Sequence, residues 1–175
     1  MPENSLNAIS WNDDETEAVV AEAEVQFLVF RCGSGLYGVD LLKIHEILKP
    51  LPVTRLPNVE EEVLGVINLR GNIIPVLDVL KTLRHEYAEL HPTSRIVVCS
   101  VNDKSMGLLV DAVVEVVSLK ESSIEGAELR GFSQEYLSGV GRTSDFIFLI
   151  FNLALLFKDR VAESEANLLE EGGEV

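Results

Sequence analysis

Residues 65–78 read Gly65-Val66-Ile67-Asn68-Leu69-Arg70-Gly71-Asn72-Ile73-Ile74-Pro75-Val76-Leu77-Asp78. Two β-prone runs, Val66–Leu69 and Ile73–Leu77, flank Arg70-Gly71-Asn72. Gly-Asn between β-branched runs predicts a tight hairpin, because Gly71 and Asn72 tolerate the positive φ such turns require. Arg70 then stands beside a hairpin tip on a rigid base. Pro75 has no N–H to give to a ladder, so the return strand is expected to be an edge strand or to carry a bulge. A cation held this way suits the docking of a partner. No nucleophile or base lies near it in sequence to do chemistry.

Working outward, strands are expected at Val25–Cys32, Leu36–Val39, Arg95–Val101, Met106–Val110, Ala112–Leu119, Gly139–Arg142 and Phe146–Phe151. Gly33-Ser34-Gly35 and Asn102-Asp103-Lys104-Ser105 supply turns between them. The expected helices are short. One turn follows a cap at Asp40, and a capping box of Asn58 and Glu61 opens a second over residues 59–64. A third runs from Asp78 to Arg84, and a last one from Asn152 to about Phe157. Ile44–Leu48 reads as either helix or strand. Pro50, Pro52 and Pro57 make residues 49–57 an extended connector. Short strands with regular turn signals predict a barrel or sandwich. A polar joint at residues 86–93 divides the chain into halves of similar make-up, which predicts two small barrels.

The 175 residues are 47% apolar, enough for a sizeable interior, and carry a net charge of −15. The acidity is concentrated at the ends. Residues 1–24 hold seven acids and no Lys or Arg, and residues 159–175 hold six acids and only Arg160. Both stretches are expected to be solvated, poorly ordered tails; a docking or repulsive arm is the functional alternative. The part between is nearly balanced, and no basic stripe exists to neutralise phosphates, which disfavours nucleic acid. The longest near-apolar run, Phe146–Phe157, is too short to span a bilayer, which needs ~20 residues. No basic segment precedes an apolar stretch at the N-terminus, so no signal peptide is read and a soluble cytoplasmic protein is expected.

The chemistry-bearing residues read as structural. Cys32 and Cys99 lie far apart among apolar neighbours, as small buried hydrophobes do. His45, His85 and His91 make no metal-ligand spacing, and no metal or cofactor is expected. Asp40, Asp78, Asp111 and Asp145 each precede a turn or helix, where a carboxylate caps free N–H groups. Gly33-Ser34-Gly35-Leu36-Tyr37-Gly38 spells G-x-G-x-x-G after a strand. A dinucleotide site, however, needs a long helix starting at those glycines and a parallel strand beyond it, and the triple-proline connector stands where that strand belongs. A glycine-rich hairpin is the preferred reading. A nucleotide or small-molecule site on this loop remains the alternative of a different class, to be separated by titration calorimetry.

Asn68-Leu69-Arg70-Gly71 with Ile74-Pro75-Val76-Leu77-Asp78 closely resembles the central signature of CheW-type chemotaxis coupling proteins. Phe27–Phe30, Tyr37–Asp40, Ile44–Ile47, Gly107–Asp111 and Tyr136–Gly141 follow in the order that family shows, so the resemblance covers roughly Gln26–Phe157. It implies a mainly β fold of two five-stranded SH3-like barrels enclosing a shared apolar core. The first barrel is expected near residues 35–90 and the second at 91–158, with residues 25–34 spanning both. It implies no enzymatic activity. The expected role is a scaffold adaptor between the cytoplasmic tip of methyl-accepting chemoreceptors and the regulatory domain of a CheA-like histidine kinase. The adaptor and that domain would alternate in rings beneath the receptor array, with weak self-association a further expectation. CheW-like proteins also serve twitching, gliding and other chemosensory pathways. By the same resemblance the receptor-binding residues are Arg70, Ile44, Glu46, Gly65, Val113 and Val116. Local sequence alone leaves Arg70 equally readable as a salt bridge to Asp78 or Glu46, Ile44 as core, Glu46 as a solvated face, Gly65 as a bend, and the two valines as barrel interior. The last helix, Asn152–Phe157, is more apolar here than in relatives.

Overall fold

The computed structural model describes residues 21–130 and 135–158. Residues 1–20 and 159–175, most of the two acidic ends, lie outside the described residues. The N-terminal arm ends sooner than expected, because β1 already starts at Glu24 (β1, Glu24–Cys32) and Glu22 is ion-paired with Lys120 at 2.9 Å.

Two antiparallel-rich sheets make up the fold. The first holds β1, β2 (Gly35–Asp40), β8 (Ala112–Lys120), β9 (Glu125–Gly126), β10 (Leu137–Arg142) and β11 (Ile147–Phe151), in the order β8-β1-β2-β11-β10-β9. The second holds β3 (Ile44–Leu48), β4 (Val63–Leu69), β5 (Asn72–Asp78), β6 (Arg95–Val101) and β7 (Lys104–Val110), in the order β3-β6-β7-β5-β4. Two short helices, α1 (Val79–Arg84) and α2 (Leu153–Lys158), pack on these sheets.

Each sheet curls round an apolar interior of its own. Leu48, Ile67, Ile74, Val76, Ile96, Val98 and Leu109, drawn from all five strands, fill the second. Phe27, Val29, Val117, Phe148 and Ile150 fill the first. Phe148 lies so close to Gly38 and Gly141 that a Cβ at either position would come within 2.6 Å of its ring, which accounts for both glycines. A third cluster lies between the sheets and takes the other faces of the same strands. Leu28, Phe30 and Cys32 of β1 meet Val97 and Cys99 of β6 and Met106, Leu108 and Val110 of β7, with Leu153, Leu156 and Phe157 of α2. Phe30 stacks on Phe151 there, with ring centroids 6.1 Å apart and planes within 8°. Strands buried on both faces read as continuous apolar runs rather than as alternation, and Phe27-Leu28-Val29-Phe30 and Ile96-Val97-Val98-Cys99 are such runs.

The strands are shared out differently from the expected division at residue 91. β5 pairs in parallel with β7 through Val76–Asp78, so the β6–β7 hairpin closes the first barrel instead of opening the second. β2 pairs with β11 and belongs to the other sheet. The chain changes sheets beyond Asp40 and at Asp111, and the polar joint at residues 86–93 merely connects two elements of one barrel. β1 pairs only with β2 and β8; what it spans is the two cores, through its two faces.

Two of the four expected carboxylate caps are in place. Asp40 accepts from Leu42 N at 2.9 Å, and Asp78, fully buried, accepts from Lys81 N at 3.0 Å and Ala88 N at 2.8 Å. Asp111 precedes β8 rather than a turn or helix and accepts from the distant Gly33 N at 2.6 Å, and in the turn at Asp145 the acceptor is Thr143 Oγ1, from Asp145 N at 3.2 Å and Phe146 N at 3.0 Å. The helix expected over residues 59–64 is absent: Asn58 has φ +56°, whereas an N-cap needs extended backbone, and the strand begins at Val63.

Phe30 is fully buried in the shared core. Phe30→Ala is expected to lower unfolding free energy by about 3–5 kcal/mol in urea titration. A loss below about 1 kcal/mol would mean that the side chain does not hold the sheets together.

Candidate docking surface

The hairpin of β4 and β5 turns on Arg70 and Gly71, at φ +53° and +85°, with Leu69 paired to Asn72. The turn sits one residue earlier than Gly71-Asn72, because Asn72 is already in the ladder and Asn68 Oδ1 accepts the Gly71 N–H at 2.9 Å. Two successive positive φ values define a turn matched to strand twist, for which Asn, Asp and Gly are the ordinary first residues. Arginine there is held in a conformation disfavoured for its type. Pro75 pairs with Val66, and the ladder to β7 starts only at Val76, so β5 is an edge strand as far as the proline and interior beyond it.

The Arg70 guanidinium forms a two-pronged ion pair with Glu46 of β3, with Nη1–Oε1 at 2.6 Å and Nη2–Oε2 at 3.1 Å. β3 and β4 are the opposite edges of the five-stranded sheet, so the pair clasps the barrel shut. Of the two readings left open for Arg70, the structural partner is Glu46, not Asp78. The Arg70 side chain is nevertheless 73% exposed. The hydrogen bond to Glu46, with its charge, pushes the guanidinium pKa further up, so it stays charged. Glu46 uses two of its five N–H donors.

The other candidate residues divide by position. Ile44 starts β3, half-buried against the shared core. Gly65 is buried in β4 at φ +143°, where a Cβ would lie 2.1 Å from Thr54 O. Thr54 and Val66 exchange both backbone hydrogen bonds, at 2.9 and 2.8 Å. The close approach at Gly65 is therefore made by this chain's own proline-rich connector. Val113 and Val116 lie on β8, the edge strand of the other sheet. Val113 packs on the shared core, and Val116, opposite Leu28, is exposed. The structure thus joins Arg70 to Glu46 directly, with Ile44 two residues away on the same strand, and places the valines on the second barrel. Sequence reasoning missed Ile47 and Val114, both exposed apolar residues on these edge strands. Ile47 sits opposite Val97 and so shares the shared-core side with Ile44; Val114 is the residue that a register shift in β8 leaves out of the pairing. Unlike Pro75 in β5, no residue of β3 or β8 signals the edge position or the bulge in the sequence.

The G-x-G-x-x-G segment is the β1–β2 hairpin, followed by an antiparallel strand where a dinucleotide site needs a helix. Its first amide is taken by the Asp111 carboxylate, and Arg84 donates to Ser34 Oγ at 2.7 Å. An acid occupies the place where a phosphate would have to bind. Cys32 and Cys99 are buried free thiols, both pushed up to about 12 by burial. Among the described residues no group of His, Cys, Asp and Glu is placed to hold a metal, and no helix is long and apolar enough to cross a membrane.

Two welded β-barrels carry a strained, clasped and exposed arginine at one hairpin tip. The chain belongs to the family of proteins with a CheW-like domain, whose model matches residues 26–161. It is 30% identical over 148 residues to the chemotaxis protein CheW of Klebsiella aerogenes, covering 79% of this chain and 89% of that protein. Protein FrzA of Myxococcus xanthus is 30% identical over 132 residues, with 75% and 82% covered. The crystal structure of the scaffolding protein TtCheW from Thermoanaerobacter tengcongensis superposes with a TM-score of 0.72 at 34% identity, covering 78% of this chain and 94% of that one.

Gly65→Ala places a Cβ against Thr54 and forces a positive φ. It is expected to cost more than about 2 kcal/mol in urea unfolding. An unchanged midpoint would show that the Thr54 bridge gives way freely. Both cysteines are expected to resist thiol-reactive reagents at pH 8 in the native protein and to react fully in denaturant; rapid native labelling of either would contradict their burial.

Proposed function

We propose that this protein is a scaffold adaptor that couples methyl-accepting chemoreceptors to a CheA-like histidine kinase, working in the cytoplasm at membrane-associated receptor arrays. Its action is binding alone, with no reaction catalysed. It sets the geometry in which a small receptor movement alters kinase activity.

One observation carries this reading: an arginine in a left-handed turn position that glycine or asparagine would fill at lower conformational cost. A residue that opposes its local backbone preference is one whose side chain is needed. Glu46 fixes the guanidinium plane while leaving three N–H donors free to meet carboxylate or carbonyl groups at a receptor helix end. Ile44, Glu46, the exposed Val116 and Val113, which lies three residues before it on β8, extend the receptor-binding surface. An amphipathic receptor helix lies against it in the helix-in-groove manner. Gly65 contributes by letting the connector seal the barrel edge behind this surface. The match to a solved scaffolding protein over nearly that chain's full length supports the same role. A second reading keeps the adaptor and changes the pathway to a non-flagellar one, and the likeness to FrzA favours it.

Arg70→Gly separates binding from folding. The variant is expected to unfold at the same denaturant concentration as the parent or a higher one, while its affinity for a receptor-tip fragment falls by about tenfold or more in pull-down titration. Affinity equal to the parent would remove Arg70 from the receptor contact.

A further inference from the structure

A third residue shapes the turn that carries Arg70. Asn68 lies on β4 just before it, exposed, and is paired across the ladder with Ile73. The neighbouring Ile67 and Ile74 fill the barrel interior. Strand alternation therefore puts Asn68 on the outer face of the hairpin, where it fills no space in the core. Asparagine is also a poor strand former. Its side chain reaches forward instead, and Oδ1 accepts the Gly71 N–H at 2.9 Å.

That N–H belongs to the peptide joining Arg70 to Gly71. It lies outside the ladder, which Leu69 and Asn72 close. Tying it down fixes the rotation of this peptide, and with it ψ of Arg70 and φ of Gly71. Those are the two angles that separate the type I′ turn from type II′. The observed φ values, +53° and +85°, are those of type I′, for which Asn-Gly is a favoured pair. Here the asparagine acts from outside the turn and leaves its first position to arginine.

Arginine by its own preference takes a negative φ. That change re-aims its Cβ and carries the guanidinium away from Glu46, which it now meets at 2.6 and 3.1 Å. We propose that Asn68 is a positioning residue for Arg70. By holding the Gly71 amide it keeps the arginine in the left-handed conformation from which the guanidinium reaches Glu46, so that the cation is set before a partner arrives. The receptor gains affinity from this, because a side chain already ordered loses less freedom on binding. This second consequence rests on the reading of Arg70 as a receptor contact; the first does not. Asn68 acts through Arg70 and does not touch the receptor itself.

Nuclear magnetic resonance of the free full chain and titration with a receptor-tip fragment test this together. Thermal melts confirm that each variant is folded. In Asn68→Ala the intraresidue HN–Hα contact of Arg70, strong at positive φ, is expected to weaken, and the Arg70 Nε to become more mobile. Receptor-tip affinity is expected to fall by about threefold to tenfold. Asn68→Asp keeps an acceptor oxygen at the same reach and is expected to preserve the Arg70 conformation. In the Arg70→Gly background, Asn68→Ala is expected to change receptor affinity no further. An Asn68→Ala variant in which Arg70 keeps its conformation and its Nε order overturns the proposal. So does parent-like receptor affinity of Asn68→Ala when Arg70→Gly is impaired. An equal loss of affinity in the Arg70→Gly background overturns it too, by making Asn68 a receptor contact in its own right. If Arg70→Gly alone binds like the parent while Asn68→Ala still loosens Arg70, the positioning stands and the receptor reading falls.

Discussion

Strand β1 has no solvent face between Phe27 and Phe30. Phe27 and Val29 point into one barrel, and Leu28 and Phe30 into the core shared with the other. β6 does the same from the opposite side, with Ile96 and Val98 in its own barrel and Val97 and Cys99 in the shared core. Strands loaded on both faces cannot lose one barrel without exposing the apolar surface of the other, at ~25 cal/mol for every Å² uncovered. The two sheets therefore fold as one body, and every exposed residue keeps a fixed place relative to the rest.

That rigidity gives the Arg70–Glu46 clasp its meaning. As an exposed ion pair it adds little to stability. As a positioning device it holds a guanidinium in one orientation on a base that does not flex, across the seam where the five-stranded sheet closes. The left-handed φ at Arg70 is tolerated because β4 and β5 over-determine the turn. Gly65 serves the same end from behind, by admitting Thr54 so closely that the connector completes the barrel edge. In the proposed adaptor role, which acts through placement, these are the residues that supply it.

Much of this was legible in residue order. The bounds expected for β6 match Arg95–Val101, and the caps at Asp40 and Asp78 are where the sequence puts them, because a carboxylate before a turn is a local signal. The hairpin was read correctly but one residue late: Gly-Asn and Arg-Gly are both possible turn pairs, and the register is decided by Asn68 reaching Gly71 N. The capping-box pattern at Asn58 failed because Asn58 takes a left-handed φ that an N-cap does not have, and Glu61 is left to pair with Lys81, at 3.0 Å and 20 residues away. The division into barrels was misplaced for the same reason. The parallel pairing of β5 with β7 is non-local, and no window of sequence contains it. Arg70 was identified as a candidate through its motif and Glu46 named as one of two possible ion-pair partners, but the choice of Glu46 over Asp78 is a fact of barrel closure.

Native-state hydrogen exchange measures the weld directly. The slowest amides of Leu28–Phe30 in one sheet and Val97–Cys99 in the other are predicted to open with the same free energy and the same denaturant dependence, because both open only when the whole protein does. Exchange in one set at a clearly lower free energy, with the other still protected, would mean two independently stable barrels and would contradict the single rigid body on which this account of the docking surface rests.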